Sequence, residues 1–145
     1  LFTSAIHGVA LRSMKAPGTA YDDPQLGKDP QPADMDGYVE LPHDDANDNG
    51  GVHTNSGIPN RAFYLTAVAL GGNAWESAGR IWYDTLVRGQ LAKDADFAEF
   101  ARATVEAATR LYGADDPAAG HVDDAWRTVK VIPAEEGPRS RRVRR

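Results

Sequence analysis

The chain has 145 residues, 41% hydrophobic and 26% charged, with no cysteine. This is one domain's length with enough apolar material for a core, and it excludes disulfides and thiolate metal sites. Of the 16 basic residues five sit in the tail Pro138–Arg145, leaving 11 against 21 acidic ones, so the body is acidic and nucleic acid is excluded as a partner of the fold itself.

No apolar run reaches the length of a membrane span. Leu1-Phe2-Thr3-Ser4-Ala5-Ile6 lacks the basic and long apolar regions of a signal peptide. The first residue is not Met, so the chain is expected to be cut from something larger.

Residues 1–52 read as an irregular rim. Arg12 lies between Leu11 and Ser13, and by composition it is a surface arginine whose stem covers Leu11. Residues 15–47 are broken by Pro17, Gly18, Pro24, Gly27, Pro30, Pro32, Gly37 and Pro42, and neither the strand nor the helix period survives there. An irregular segment of this length is usually functional. A short helical turn is expected around Ala33–Tyr38. Asp45-Ala46-Asn47-Asp48-Asn49-Gly50 begins like a calcium-binding helix–loop–helix, but Ser56 stands where the bidentate Glu is required, so that reading fails.

From Ser56 the chain turns helical, with Ser56 as the expected N-cap and Pro59 in the first turn. Ile58, Ala62, Leu65 and Ala69 form one stripe, and Gly71-Gly72-Asn73 ends the helix. A second helix is expected over Trp75–Val87 with Trp75, Ala78, Ile81, Trp82 and Leu86 inward. The third begins at Asp96 with Glu99 three residues on, a capping-box pair, carries Phe97, Phe100, Ala101, Thr104, Ala108 and Leu111, and ends at Gly113. The fourth starts at Asp116-Pro117 and buries Val122, Ala125, Trp126 and Val129.

The expected fold is mainly α: a bundle of about four to five helices with antiparallel neighbours, preceded by a long irregular segment. The bundle occupies 53–131, and 132–145 reads as a disordered basic tail.

Among the histidines His7, His43, His53 and His121 no pair stands four apart, so no HExxH zinc motif exists in these residues. His53 has the most distinctive setting. Gly50-Gly51 allows a tight turn, and Asp48 is near enough to accept from the ring's Nδ1–H, which fixes the tautomer and favours the protonated ring, whose outer nitrogen is then expected to donate near neutral pH. From the residues alone His53 is either functional or a loop-packing histidine.

Leu11-Arg12-Ser13-Met14, the run Asp48 through Ala62 (DNGGVHTNSGIPNRA), Arg80-Ile81-Trp82-Tyr83 and Arg110-Leu111-Tyr112-Gly113 together resemble the helical domain of the thermolysin-like zinc metallopeptidases. The likeness runs from about Leu1 to Val131, and Lys15–Tyr21 is similar to the protealysin-type branch. It implies the C-terminal half of a two-lobed, secreted endopeptidase that cuts on the amino side of bulky apolar residues. Zinc would sit on HExxH of the N-terminal lobe, which is missing from these residues. By motif His53 resembles the histidine that hydrogen-bonds the tetrahedral oxyanion, and Asp48 its orienter. Arg12 resembles the arginine that contacts the substrate carbonyl, and Leu11 the wall of the pocket beyond the scissile bond. The implied partners are a peptide or protein substrate, the zinc-binding lobe and a propeptide. Calcium belongs to the family, but Val9-Ala10 stands where its ligating Asp would precede Leu11, so calcium is not expected here. The alternative is a non-catalytic helical interaction module or the remnant of a truncated gene.

Overall fold

The structure, a computed structural model, describes residues 7–133. The expectations for Leu1–Ile6 and for residues 134–145 of the basic tail lie outside those residues.

The irregular half is organised by carboxylates. A two-stranded antiparallel hairpin pairs β1 (Asp22–Asp23) with β2 (Gly27–Lys28), Asp22 opposite Lys28. Its turn is closed by Asp23, only 6% exposed, whose Oδ1 accepts from Gln25 N at 2.8 Å and Leu26 N at 3.0 Å. Oδ2 of the same residue accepts from His7 N at 2.8 Å. Asp29, 4% exposed, accepts from Gly18 N and Ala20 N through Oδ2 and from Gln31 N through Oδ1. Buried backbone N–H groups must find acceptors, and with almost no ladder here these two side chains supply them. Single turns of 3₁₀ helix follow at Met35–Gly37 and Asp45–Asn47, each capped by the preceding aspartate, Asp34 and Asp44. The first lies inside the turn expected at Ala33–Tyr38; the hairpin was not expected.

Among the described residues five helices follow: α1 (Asp48–Asn55), α2 (Gly57–Leu70), α3 (Ala78–Arg88), α4 (Phe97–Tyr112) and α5 (Ala118–Thr128). The mainly α bundle expected from the sequence is the one found, with α5 packed on α2 and α4, and α3 on α4. The start of α4 carries the full capping box: Asp96 Oδ1 accepts from Glu99 N at 2.7 Å, and Glu99 Oε2 from Asp96 N at 2.9 Å. At α5 Asp116 Oδ1 accepts from Ala118 N at 2.8 Å, with Pro117 where a missing N–H costs nothing.

Trp126 is fully buried at the centre, with its ring 6.1 Å from that of Trp82 and stacked on it, and 6.0 Å edge-on from Phe100. Its Nε1 donates to Thr104 Oγ1 at 2.8 Å, and that hydroxyl donates to Ala101 O at 2.6 Å, so the indole N–H enters the core already paired. Asp84, 6% exposed on α3, receives two bonds from Arg110 of α4, Nε at 3.0 Å and Nη2. Phe97, Phe100 and Trp82 pack on this core, and Ile58, Ala62, Ile81, Ala101, Ala108, Val122 and Val129 lie within it, as their stripes predict.

Three expectations fail for physical reasons. Trp75 is 72% exposed and precedes α3, because Asn73 N is taken by the Glu76 carboxylate in a separate turn. Leu86 is 69% exposed because it lies about 140° around the helix from buried Ile81. Ser56 is not a side-chain N-cap: it has right-handed helical backbone angles and makes no cap bond. Within α1 the right-handed part begins only at Val52, after residues with left-handed angles.

Candidate active site

Asp48, Asn49, Gly50 and Gly51 all have left-handed backbone angles, with φ of 56°, 47°, 85° and 77°. Four such residues in succession make one left-handed turn. Ordinary L-residues resist it by roughly 1–2 kcal/mol each, Asn and Asp tolerate it best and Gly adopts it freely. The composition Asp-Asn-Gly-Gly is the local reason the chain turns here. Gly51 also sits where a Cβ would meet Asn55 Nδ2 at 3.0 Å.

The turn brings the Asp48 carboxylate over the right-handed turn that follows. Its Oδ2 accepts from His53 N at 2.8 Å and from Thr54 N at 3.3 Å, doing the capping expected of Ser56. Its Oδ1 meets His53 Nδ1 directly. The pair foreseen from the sequence is therefore formed. The hydrogen bond from the His53 side chain, helped by the two backbone N–H groups, holds the Asp48 carboxyl below its usual 3.8 against a smaller opposing effect of partial burial.

With Nδ1 turned to a carboxylate, that nitrogen is the donor and Nε2 is the outward one. A neutral ring then offers an acceptor at Nε2, and a protonated ring offers a donor. The His53 side chain is 81% exposed while that of Asp48 is 28% exposed, so the imidazole is oriented yet open.

The backbone of this turn is anchored from two other places. Asn55, 2% exposed, accepts from Val39 N at 2.9 Å and donates to Val39 O at 2.8 Å. Gln31 Nε2 donates to His53 O at 2.9 Å and to Ser56 Oγ at 2.8 Å. Neither residue was singled out from the sequence. The available signal was a polar side chain set between Pro30 and Pro32 in an otherwise broken stretch.

Arg12 and Leu11 are placed differently. Arg12 Nη1 donates to Leu11 O at 2.7 Å, and Leu11 is 58% exposed. Among the described residues Arg12 makes no hydrogen bond or ion pair with Asp48 or His53. A cavity of about 530 Å³ adjoins the turn through Asn49, Gly50 and Val52, but His53, Asp48 and Arg12 do not line it. The His53 ring is exposed beside this cavity rather than within its lining.

Among the described residues no three His, Asp or Glu side chains converge as a metal site would require, so they do not fit a zinc ion. No helix among them is long and apolar enough to cross a membrane.

Residues 1–131 match the model of the thermolysin metallopeptidase α-helical domain. An extracellular metalloprotease of Pectobacterium carotovorum subsp. carotovorum is 54% identical over 136 residues, covering 94% of this chain and 38% of the relative. Protease PrtS of Photorhabdus sp. (strain Az29) is 52% identical over 136 residues, covering 94% and 36%. Among solved structures, the precursor of protealysin, a metalloproteinase from Serratia proteamaculans, superimposes with a TM-score of 0.80 at 61% identity, covering 88% of this chain and 38% of that one. This chain spans under two fifths of each of these relatives. A helical domain built around a buried Trp126, with Asp48 clasping His53 across a left-handed turn, thus belongs to the thermolysin-like metallopeptidases, as their α-helical C-terminal domain.

Proposed function

We propose that this domain forms one wall of the cleft of a secreted metalloendopeptidase, in which His53 stabilises the oxyanion of the tetrahedral intermediate and Asp48 orients it. The observation that carries this reading is the held but exposed imidazole: Nδ1 is committed to Asp48 Oδ1 while the side chain is 81% exposed. In the protonated ring Nε2–H is a charged donor whose direction is set before substrate arrives, and such preorganised donors are where binding differentially favours the transition state. Arg12 and Leu11 serve the peptide substrate, the first at its carbonyl and the second at the bulky apolar residue beyond the scissile bond. Zinc, its ligands and the base that activates water belong to the N-terminal lobe, in the part of the relatives this chain does not span. The relatives named extracellular support secretion, and the protealysin precursor supports a propeptide as a partner.

The reading is tested by ¹H–¹⁵N spectroscopy of the histidine rings in the full-length enzyme, before and after adding a peptide phosphonate that mimics the tetrahedral oxyanion. His53 Nε2–H should appear as a protected, low-field signal in the complex. An unchanged His53 ring with the inhibitor bound would remove the assignment.

A further inference from the structure

Gln31 is 3% exposed and lies 22 residues before His53. Its amide has two N–H bonds, and the structure uses both, on His53 O at 2.9 Å and on Ser56 Oγ at 2.8 Å. The Ser56 hydroxyl donates in turn to His53 O at 2.8 Å. A carbonyl only accepts, so the amide cannot be turned over without setting Oε1 against His53 O. Oε1 itself is buried with no partner among the described residues. The side chain is therefore oriented for what it gives to His53 and Ser56 rather than for its own satisfaction.

Gln31 is itself fixed from below. Its backbone N donates to Asp29 Oδ1 at 3.1 Å, and Asp29 is the buried carboxylate that also gathers Gly18 N and Ala20 N. A continuous line of hydrogen bonds thus runs from the rim to the carbonyl of His53, while Asp48 holds the N–H and ring of the same residue. His53 is gripped at both ends of its backbone, and two anchors are what a single, exposed imidazole needs to keep one direction.

We propose that Gln31 is a positioning residue for His53: it sets the backbone from which the imidazole projects and touches no reacting atom. This rests on the reading of His53 as the oxyanion donor. A misplacement of about 1 Å can cost on the order of a hundredfold in rate, and Gln31 is one of two anchors, so a loss of roughly tenfold is expected from its removal.

The test is a double-mutant cycle in the full-length peptidase, with rates normalised by active-site titration. Gln31→Met keeps the length of the side chain and removes both donors. It should lower kcat by roughly tenfold with KM within about twofold, and change kcat by less than about twofold when His53 is already Ala. Equal losses in the two backgrounds would overturn the proposal, since the effect would then not pass through His53. A loss under about twofold with His53 intact would overturn it as well. Ser56→Ala removes only the shared hydroxyl and answers the same question if Gln31→Met does not fold: a smaller loss, confined to the His53 background, is expected, and an equal loss in both overturns the proposal. His53→Ala with unchanged kcat would overturn the underlying reading and this proposal with it, an outcome distinct from all the others.

Discussion

Replacing Asp48 by Asn separates the two tasks of one carboxylate. In the structure Oδ2 caps the backbone through His53 N at 2.8 Å and Thr54 N at 3.3 Å, and Oδ1 takes the ring proton of Nδ1. The amide oxygen of Asn can keep the backbone bonds, so the turn survives. Its NH₂ group then faces Nδ1 and offers a donor where the ring needs an acceptor. The ring answers by giving up the Nδ1 proton and holding its single proton on Nε2. The outward donor persists but is neutral. Hydrogen bonds from charged donors are about twice as strong as neutral ones, which corresponds to roughly a tenfold loss of kcat. Steady-state kinetics of the full-length enzyme checks this. A variant within about twofold of the parent would refute the reasoning.

Two further predictions concern the scaffold. Gly27 and Gly51 share a φ of 77°, but a Cβ at Gly27 meets nothing within 4 Å while one at Gly51 meets Asn55 Nδ2 at 3.0 Å. Gly27→Ala should therefore show the conformational cost alone, about 1–2 kcal/mol, and Gly51→Ala about 1 kcal/mol more from overpacking; equal losses in chemical unfolding would contradict this. Asp23 and Asp48 are both held below the ordinary 3.8, Asp23 first by the His7 N–H and Asp48 first by the His53 ring. Groups with depressed folded values add stability at pH above 3.8, and that contribution disappears as pH falls through their folded values. The melting temperature should thus drop on acidification below about pH 4, and Asp23→Asn should make the drop shallower; an equally steep drop would argue against the assignment.

Helices α2, α4 and α5 were legible because their signals are local. Stripes at helical spacing named Ile58, Ala62, Val122 and Trp126, and the Asp96–Glu99 box marked a start that the structure reproduces bond for bond. The Asp48–His53 pair was legible for the same reason, being five residues apart across a Gly pair. What stayed hidden is non-local or sign-reversed. Asp23 and Asp29 look like surface acids in a broken stretch, yet they are buried because backbone N–H groups converge on them. Gln31 reaches His53 and Asn55 reaches Val39 across 22 and 16 residues, beyond any periodicity. Ser56 looked like an N-cap because the left-handed turn that lets Asp48 cap instead is a property of φ, not of pattern. Trp75 and Leu86 were placed inward as members of a helical stripe with Ala78, Ile81 and Trp82, and the geometry of a turn and of a helix put them outside.

The central claim, that His53 is a preorganised donor to the oxyanion, is tested most directly by replacing it with Ala in the full-length peptidase. Removal of one such donor costs on the order of 10²–10³ in kcat, so a loss of that size with KM little changed is predicted. Turnover within about twofold of the parent, from a variant that still folds, would contradict it.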